Sequence, residues 1–227
     1  KTPRYGPVLL DLPVNLQMSS ITDVKPFTLE VNTRVEKSIY DISGFLRNSK
    51  RPLVVFGHGV ILSNASKSAM NFVEKNNIPF VVSWGAIDVC ETNHDLRVGT
   101  IGVYRESDPV VYDFLRNFFT SLPDECIVIS DIGSNMVWTM QCARLSKTQK
   151  LFTNGGNASM GFALPAAIGA SIGSNKPIYV IAGDGGFQMN IQELLTVKKY
   201  NLPIEITILN NSGYGIVKQF QDIYFNS

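Results

Sequence analysis

Apolar and polar positions in this chain fall into short uninterrupted apolar runs separated by longer, helically spaced stretches. Ile178-Tyr179-Val180-Ile181-Ala182 and Ile204-Glu205-Ile206-Thr207-Ile208-Leu209 read as strands. Between them, Gln188 to Tyr200 carries apolar residues at Met189, Ile191, Leu194, Leu195 and Val197, which predicts a helix. A helix of ~12 residues rises ~18 Å and a strand of ~6 residues covers ~20 Å. The helix therefore returns the chain to its starting edge, and the two strands run parallel. Cys126 to Ser130 predicts a third strand of the same kind. Earlier, Leu53-Val54-Val55-Phe56, a helix over Ala65 to Lys75, and the strand Pro79 to Ser83 form a Rossmann-like piece. The pattern predicts an α/β protein built on parallel sheets.

This topology brings Gly183-Asp184-Gly185 and Asn210-Asn211, each just past a strand, to one carboxyl edge, where α/β sheets bind ligands. Asp184 and Asn211 offer oxygen ligands, and Gly213 can turn its carbonyl inward because it lacks Cβ. Such a set suits Mg²⁺, which takes one or two carboxylates together with ligand phosphates. Gly185 and Gly186 let the backbone come close, and the following helix points free N–H groups at an anion. Either half alone reads as an ordinary turn after a strand; both halves, spaced on one βαβ unit, predict a metal-bridged diphosphate site.

The stretch Gly183-Asp184-Gly185…Asn210-Asn211 resembles the cofactor motif of the thiamine-diphosphate-dependent enzymes. Asp131 to Trp138, Gly155 to Gly169 and the opening Gly6 to Val14 resemble the acetolactate synthase group within that family. The resemblance implies that Asp184, Asn211 and the Gly213 carbonyl hold Mg²⁺, with Gly183, Gly185 and Gly186 shaping the cofactor turn. It implies that Ser134 and Asn135 reach the diphosphate, although both also suit a helix N-cap. Met160 would wedge under the bent cofactor, its N–H donating to the aminopyrimidine ring, while the Ala158 carbonyl accepts from the amino group. Taken without its flanks, Met160 reads as a core gap filler. Ser134-Asn135 stands where the group often has Gln-His, and Phe220 where it often has Trp. The first change keeps hydrogen-bond donors; the second touches the substrate entrance.

Composition narrows the partners. The chain has 227 residues, 44% apolar and 17% charged, with a net charge of +1. These values fit a soluble α/β protein and give no basic signature for nucleic acid. No stretch approaches a membrane span. Cys90, Cys126 and Cys142 lack metal or redox spacing and suit reduced cytoplasmic thiols. His58 and His94 are isolated and read as solvated or locally bonded loop histidines, not zinc ligands. Gly57-His58-Gly59 lacks the third glycine of a dinucleotide fingerprint, and tight packing of a βα turn is its expected use.

Three blocks are expected: residues 1–25, the end of a pyrimidine-binding domain and a linker; 27–106, an incomplete Rossmann-like middle domain; and 108–227, the three-layer diphosphate- and Mg-binding domain. The opening lacks an initiator Met, and Val98 to Tyr104 passes almost directly into Pro109 to Leu115. In the family roughly a hundred residues lie between these stretches. The chain is therefore expected to be a partial record of a longer protein, which an intact mass near 25.1 kDa would contradict.

The resemblance implies decarboxylation of a 2-oxo acid such as pyruvate, followed by carboligation to a second carbonyl, in a homodimer or homotetramer. A decarboxylase, a pyruvate oxidase, transfer of the acetyl unit to a keto sugar, or a non-catalytic cofactor-binding paralogue are the alternatives. The glutamate that protonates the cofactor ring in this family has no counterpart here; Glu193 reads as structural or solvated. FAD, carried by some members, finds no support in the sequence.

Overall fold

The computed structural model describes residues 13–20, 43–101 and 109–225. Most of the expected opening strand, the linker from Ile21 to Pro26, and the Gly102-Val103-Tyr104 stretch lie outside them. In chain order come α1 (Val14–Gln17), α2 (Ser43–Asn48), β1 (Val54–Phe56), α3 (Gly59–Leu62), α4 (Ser66–Asn76), β2 (Phe80–Val82) and β3 (Arg97–Thr100). They are followed by α5 (Pro109–Ser121), β4 (Ile127–Ser130), α6 (Ser134–Cys142), β5 (Lys150–Thr153), α7 (Ala163–Gly173) and β6 (Ile178–Gly183). The last described elements are α8 (Asp184–Gln188), α9 (Leu194–Lys199), β7 (Ile204–Leu209) and α10 (Gly215–Phe225). None of these helices is long and apolar enough to cross a membrane.

The strands form two all-parallel sheets, β1-β2-β3 and β5-β4-β6-β7. The second is covered on both faces. Tyr112, Leu115 and Phe119 of α5 and Met136 and Met140 of α6 pack with Val128 and Ile181. On the opposite face, Ala163 and Ala167 of α7 pack with Ile129, Ile178, Val180 and Ala182. Burial on both faces explains why β4 and β6 read as unbroken apolar runs. The result is the expected three-layer α/β arrangement. Ile204 to Leu209 is a strand parallel to β6 over its full length, as the sequence predicts.

The first sheet has a smaller core, in which Phe56, Phe80 and Val82 pack with Met70 and Val73 of α4. It holds three strands where the sequence shows two clear ones, because β3 lies inside the stretch that begins at Arg97. Gly57 and Gly59 have open space where a Cβ would stand, so tight packing is not their reason for being glycine. The two sheets meet through Ile87, which joins the α5/α6 core. Thr92 N–H donates to the Leu145 carbonyl at 2.9 Å, Leu145 N–H donates to Thr92 Oγ1 at 2.9 Å, and the Lys150 ammonium lies 3.6 Å from the Asp88 carboxylate.

One predicted element differs. In place of the single helix expected over 188–200 come the last residue of α8, a 3₁₀ turn at Ile191–Glu193, and α9. Asn190 breaks it: its backbone leaves the helical region (φ −131°), and its side-chain Nδ2 donates to the Gly161 carbonyl at 2.7 Å. Glu193 accepts from Thr196 Oγ1 at 2.9 Å, in keeping with a structural role. His94 is locally bonded, with Nδ1 accepting from Leu96 N–H at 3.2 Å and Nε2 facing Glu74 at 3.1 Å. His58 Nδ1 faces the Gly85 carbonyl at 2.5 Å.

Candidate functional site

The carboxyl edge of the second sheet opens into a cleft, the place where α/β sheets bind ligands. Ser134, Asn135, Met160, Gly183, Asp184, Gly185, Gly186, Asn211 and Gly213, read from the sequence as cofactor-facing, all line it. Ala158 does not; it is exposed, in the left-handed region at φ 54°, with its N–H bonded to the Asn154 carbonyl at 2.9 Å.

Three chain turns converge there. β4 delivers Gly133 and the start of α6, β6 delivers Asp184 to Gly186, and β7 delivers Asn211 to Gly215 and the start of α10. The first turns of α6 and α10 both open on the cleft, so their unpaired N–H groups and positive dipole ends favour an anion. Asp184 is the only charged residue in the lining. An anion such as a diphosphate would meet a carboxylate and no cationic side chain of the lining.

The oxygens around Asp184 resolve that conflict. The Asn211 side-chain amide sits between the Gly213 carbonyl and Asp184: with its nitrogen facing both, it donates to the carbonyl at 2.7 Å and to Asp184 Oδ1 at 2.9 Å. With the amide turned over, Asp184, Asn211 and the Gly213 carbonyl present three oxygens of the kind that Mg²⁺ takes. Among the described residues no group of three His, Cys, Asp or Glu could hold a metal; this set rests on an amide and a backbone carbonyl instead.

Glycines in the cleft are held by specific neighbours. A Cβ on Gly185 would stand 2.5 Å from Tyr214 Cε1, because the Tyr214 ring lies against that turn. Gly133 has φ 138°, and a Cβ there would stand 2.8 Å from Asn135 Oδ1. Asn135 itself is buried and donates to the Asp131 carbonyl at 2.9 Å. Part of its donor capacity thus serves its own turn, which leaves Ser134 the freer of the pair to meet a phosphate. Sequence reasoning missed Trp138 and Tyr214 in the lining; the Gly213-Tyr214-Gly215 triplet was the available signal for the second.

Comparison with known proteins agrees with this cleft. Residues 131–227 match the thiamine pyrophosphate enzyme C-terminal TPP binding domain, and residues 39–114 match the central domain of the same enzymes. Side by side, these matches cover most of the chain, which belongs to the thiamine-diphosphate-dependent enzymes. Within them it is acetolactate-synthase-like. It is 40% identical over 112 residues to the acetolactate synthase isozyme 2 large subunit of Escherichia coli, covering 49% of this chain and 20% of that one. It is 23% identical over 332 residues to the acetolactate synthase large subunit of Lactococcus lactis, covering 99% of this chain and 58% of that one. The isozyme 1 large subunit of E. coli is 23% identical over 326 residues, covering 98% of this chain and 58% of that one. The chain thus spans less than two thirds of these relatives. A match over 332 positions against 227 residues also leaves more than a hundred positions of the Lactococcus protein without a counterpart inside the matched span.

Proposed function

We propose that the cleft binds thiamine diphosphate through Mg²⁺ and forms the diphosphate half of the site of an acetolactate-synthase-like carboligase. In this reading the protein decarboxylates a 2-oxo acid, pyruvate being the first candidate, and joins the two-carbon unit to a second carbonyl. The observation that carries the reading is the meeting of Asp184, the Asn211 amide and the Gly213 carbonyl in a cleft with no cationic side chain. A divalent cation between Asp184 and a diphosphate would remove the repulsion between the two.

Asp184, Asn211 and the Gly213 carbonyl would hold the metal. Ser134 and the first turns of α6 and α10 would meet the phosphates. Met160 and Trp138, both in the lining of the cleft, would shape the space below the cofactor and keep water out. When bound, the cofactor supplies the nucleophilic carbon and stores the electrons released by decarboxylation; the chain binds, orients and shields it. Val217, Phe220 and Tyr224 of α10 are exposed by 49, 53 and 67%. Their helical spacing supports a second copy as the partner that covers this face. We place the protein in the cytoplasm, on the three free thiols.

The test is cofactor binding to the full chain. Thiamine diphosphate with Mg²⁺ at ~100 times Kd should stabilise the parent by about 2.7 kcal/mol, read as a rise in Tm. Asp184→Ala should abolish the Mg²⁺-dependent part of that rise. An equal rise in both proteins means that the metal assignment is wrong. Product analysis with pyruvate, on protein that turns it over, separates acetolactate from acetaldehyde and acetyl phosphate and so decides among the carboligase, decarboxylase and oxidase readings.

A further inference from the structure

Asp131 is a buried carboxylate, 1% exposed, at the end of β4. Its backbone is fixed by the sheet: its N–H donates to the Ile181 carbonyl at 2.8 Å, and its own carbonyl accepts from Asn135. Its side chain reaches across to a turn thirty residues further on. Oδ2 accepts Gly161 N–H at 3.1 Å, and Oδ1 accepts Phe162 N–H at 2.9 Å and Ala163 N–H at 3.3 Å.

These three donors are the entry to α7, which has no capping side chain at its own N-cap residue, Phe162. Asp131 caps it from another element, and its negative charge is favoured at that end of the helix dipole. Capping alone could be done by a local Ser or Asp. What a local cap could not do is fix the turn relative to β4 and β6. Gly161 is held from both sides, its N–H by Asp131 and its carbonyl by Asn190 Nδ2. Its φ of +79° excludes most other residues, and a Cβ there would stand 2.8 Å from Asn190 Nδ2 and 2.9 Å from Met189 Cβ. The residue before it, Met160, lines the cleft.

A third element meets the same carboxylate. A Cβ on Gly186 would overlap Asp131 Oδ2. Gly186 belongs to the turn that carries Asp184, so one carboxylate sets both the Met160 turn and the closeness of the Asp184 turn.

We infer that Asp131 is a positioning residue: with Asn190 it latches the Met160–Ala163 turn onto the sheet, so that Met160 is held ready for the cofactor, and Gly186 is glycine because Asp131 occupies the space of its side chain. The cofactor part of this role rests on the function proposed above; the latch itself does not.

Two measurements on the full chain separate them. In metal- and cofactor-free protein, amide hydrogen exchange of residues 161–163 should rise roughly tenfold to a hundredfold in Asp131→Asn, because a charge-assisted acceptor is lost. Exchange in β4 and β6 should stay unchanged, which a general loss of stability would not allow. Asn190→Ala, which cuts the other arm, should speed exchange at the same turn and provides the test if Asp131→Asn fails to fold. Thiamine diphosphate affinity at saturating Mg²⁺ should fall about tenfold in both variants. Gly186→Ala should be severely destabilising in the parent and far less so in Asp131→Ala, a non-additivity expected only if the two share one space.

Unchanged exchange at 161–163, or full additivity of Gly186→Ala with Asp131→Ala, overturns the latch. Raised exchange with parental cofactor affinity leaves a cap and overturns the positioning role. A parent that takes up no cofactor sinks the cofactor reading, and with it this role, while the exchange data still report on the latch.

Discussion

The two sheets are built from the same kind of strand but are finished differently. In the four-stranded sheet, Ile129 and Val180 face α7 while Val128 and Ile181 face α5 and α6, and all four are at most 1% exposed. In the three-stranded sheet α4 covers one face, and Leu53, Val55 and Val98 stay 53, 57 and 69% exposed. The candidate site lies on the better covered sheet. Its central strands β4 and β6 are buried on both faces, which holds the Asp184 turn rigidly, while Asn211 and Gly213 follow the edge strand β7, none of whose residues is fully buried. The open sheet bears none of the residues that line the cleft.

The largest effect is expected where coverage is complete. Ile181→Ala removes a side chain with no exposed surface from the middle of β6. It should cost about 3 kcal/mol, from lost transfer energy plus the cavity left behind, measured by denaturant unfolding. β6 also ends at the Asp184 turn, so cofactor affinity should drop in the same variant. A cost under about 1 kcal/mol would mean that the covered sheet is no better packed than the open one, and the contrast would fail.

Much of this contrast was legible in the sequence, and the reason is local. Unbroken apolar runs at 126–130 and 178–182 signal strands buried on both faces, and the glycine-rich ends of those runs mark the carboxyl edge. Strand pairing followed from connectivity, so the meeting of Asp184 with Asn211 could be expected before any coordinates. What periodicity could not carry was contact between distant turns. Asp131 bonds to residues 30 to 32 positions away, and nothing in its own neighbourhood marks it as the cap of another helix. The same holds for Asn190, whose bond to Gly161 cuts a helix that its local pattern favours. Gly57 and Gly59 mislead in the other direction, since a glycine can stand in a βα turn with no neighbour demanding it.

A middling effect is expected where the sheets join. Burial pushes the Asp88 carboxyl above its ordinary value of 3.8, although Lys150 beside it pulls the other way. A raised folded value means that the native state holds this proton more tightly than the unfolded chain. The contribution of Asp88 therefore favours folding at acid pH and is lost as pH climbs from 3.8 through the folded value. Removing the partners should then be unequal. Lys150 is 44% exposed on its side chain and Asp88 only 5%, so Lys150→Met strands a buried charge and should cost about 2 kcal/mol at pH 7. That cost should shrink on acidification towards the ordinary carboxyl range. Asp88→Asn leaves Lys150 in solvent and should stay within about 1 kcal/mol of the parent at neutral pH. Chemical denaturation of both variants across pH checks the inequality; equal costs would mean that the joint is a surface pair and not a buried one.

The smallest effect tests the open face itself. Val98 on β3 is 69% exposed, and Val98→Thr keeps the β-branch that suits a strand while removing apolar character. On a face in contact with water the change should fall within about 0.5 kcal/mol of neutral. Fully burying a valine is worth roughly 1.5–3 kcal/mol, so a cost above about 1.5 kcal/mol would mean that the face is covered in solution. Protein concentration then distinguishes the cover. If a second copy supplies it, the cost grows as the protein is concentrated, because association stabilises only the folded chain. If the chain itself supplies it, the cost is the same at every concentration. A neutral result at high concentration leaves the three-stranded sheet half-covered beside a sheet whose central strands, β4 and β6, are buried on both faces.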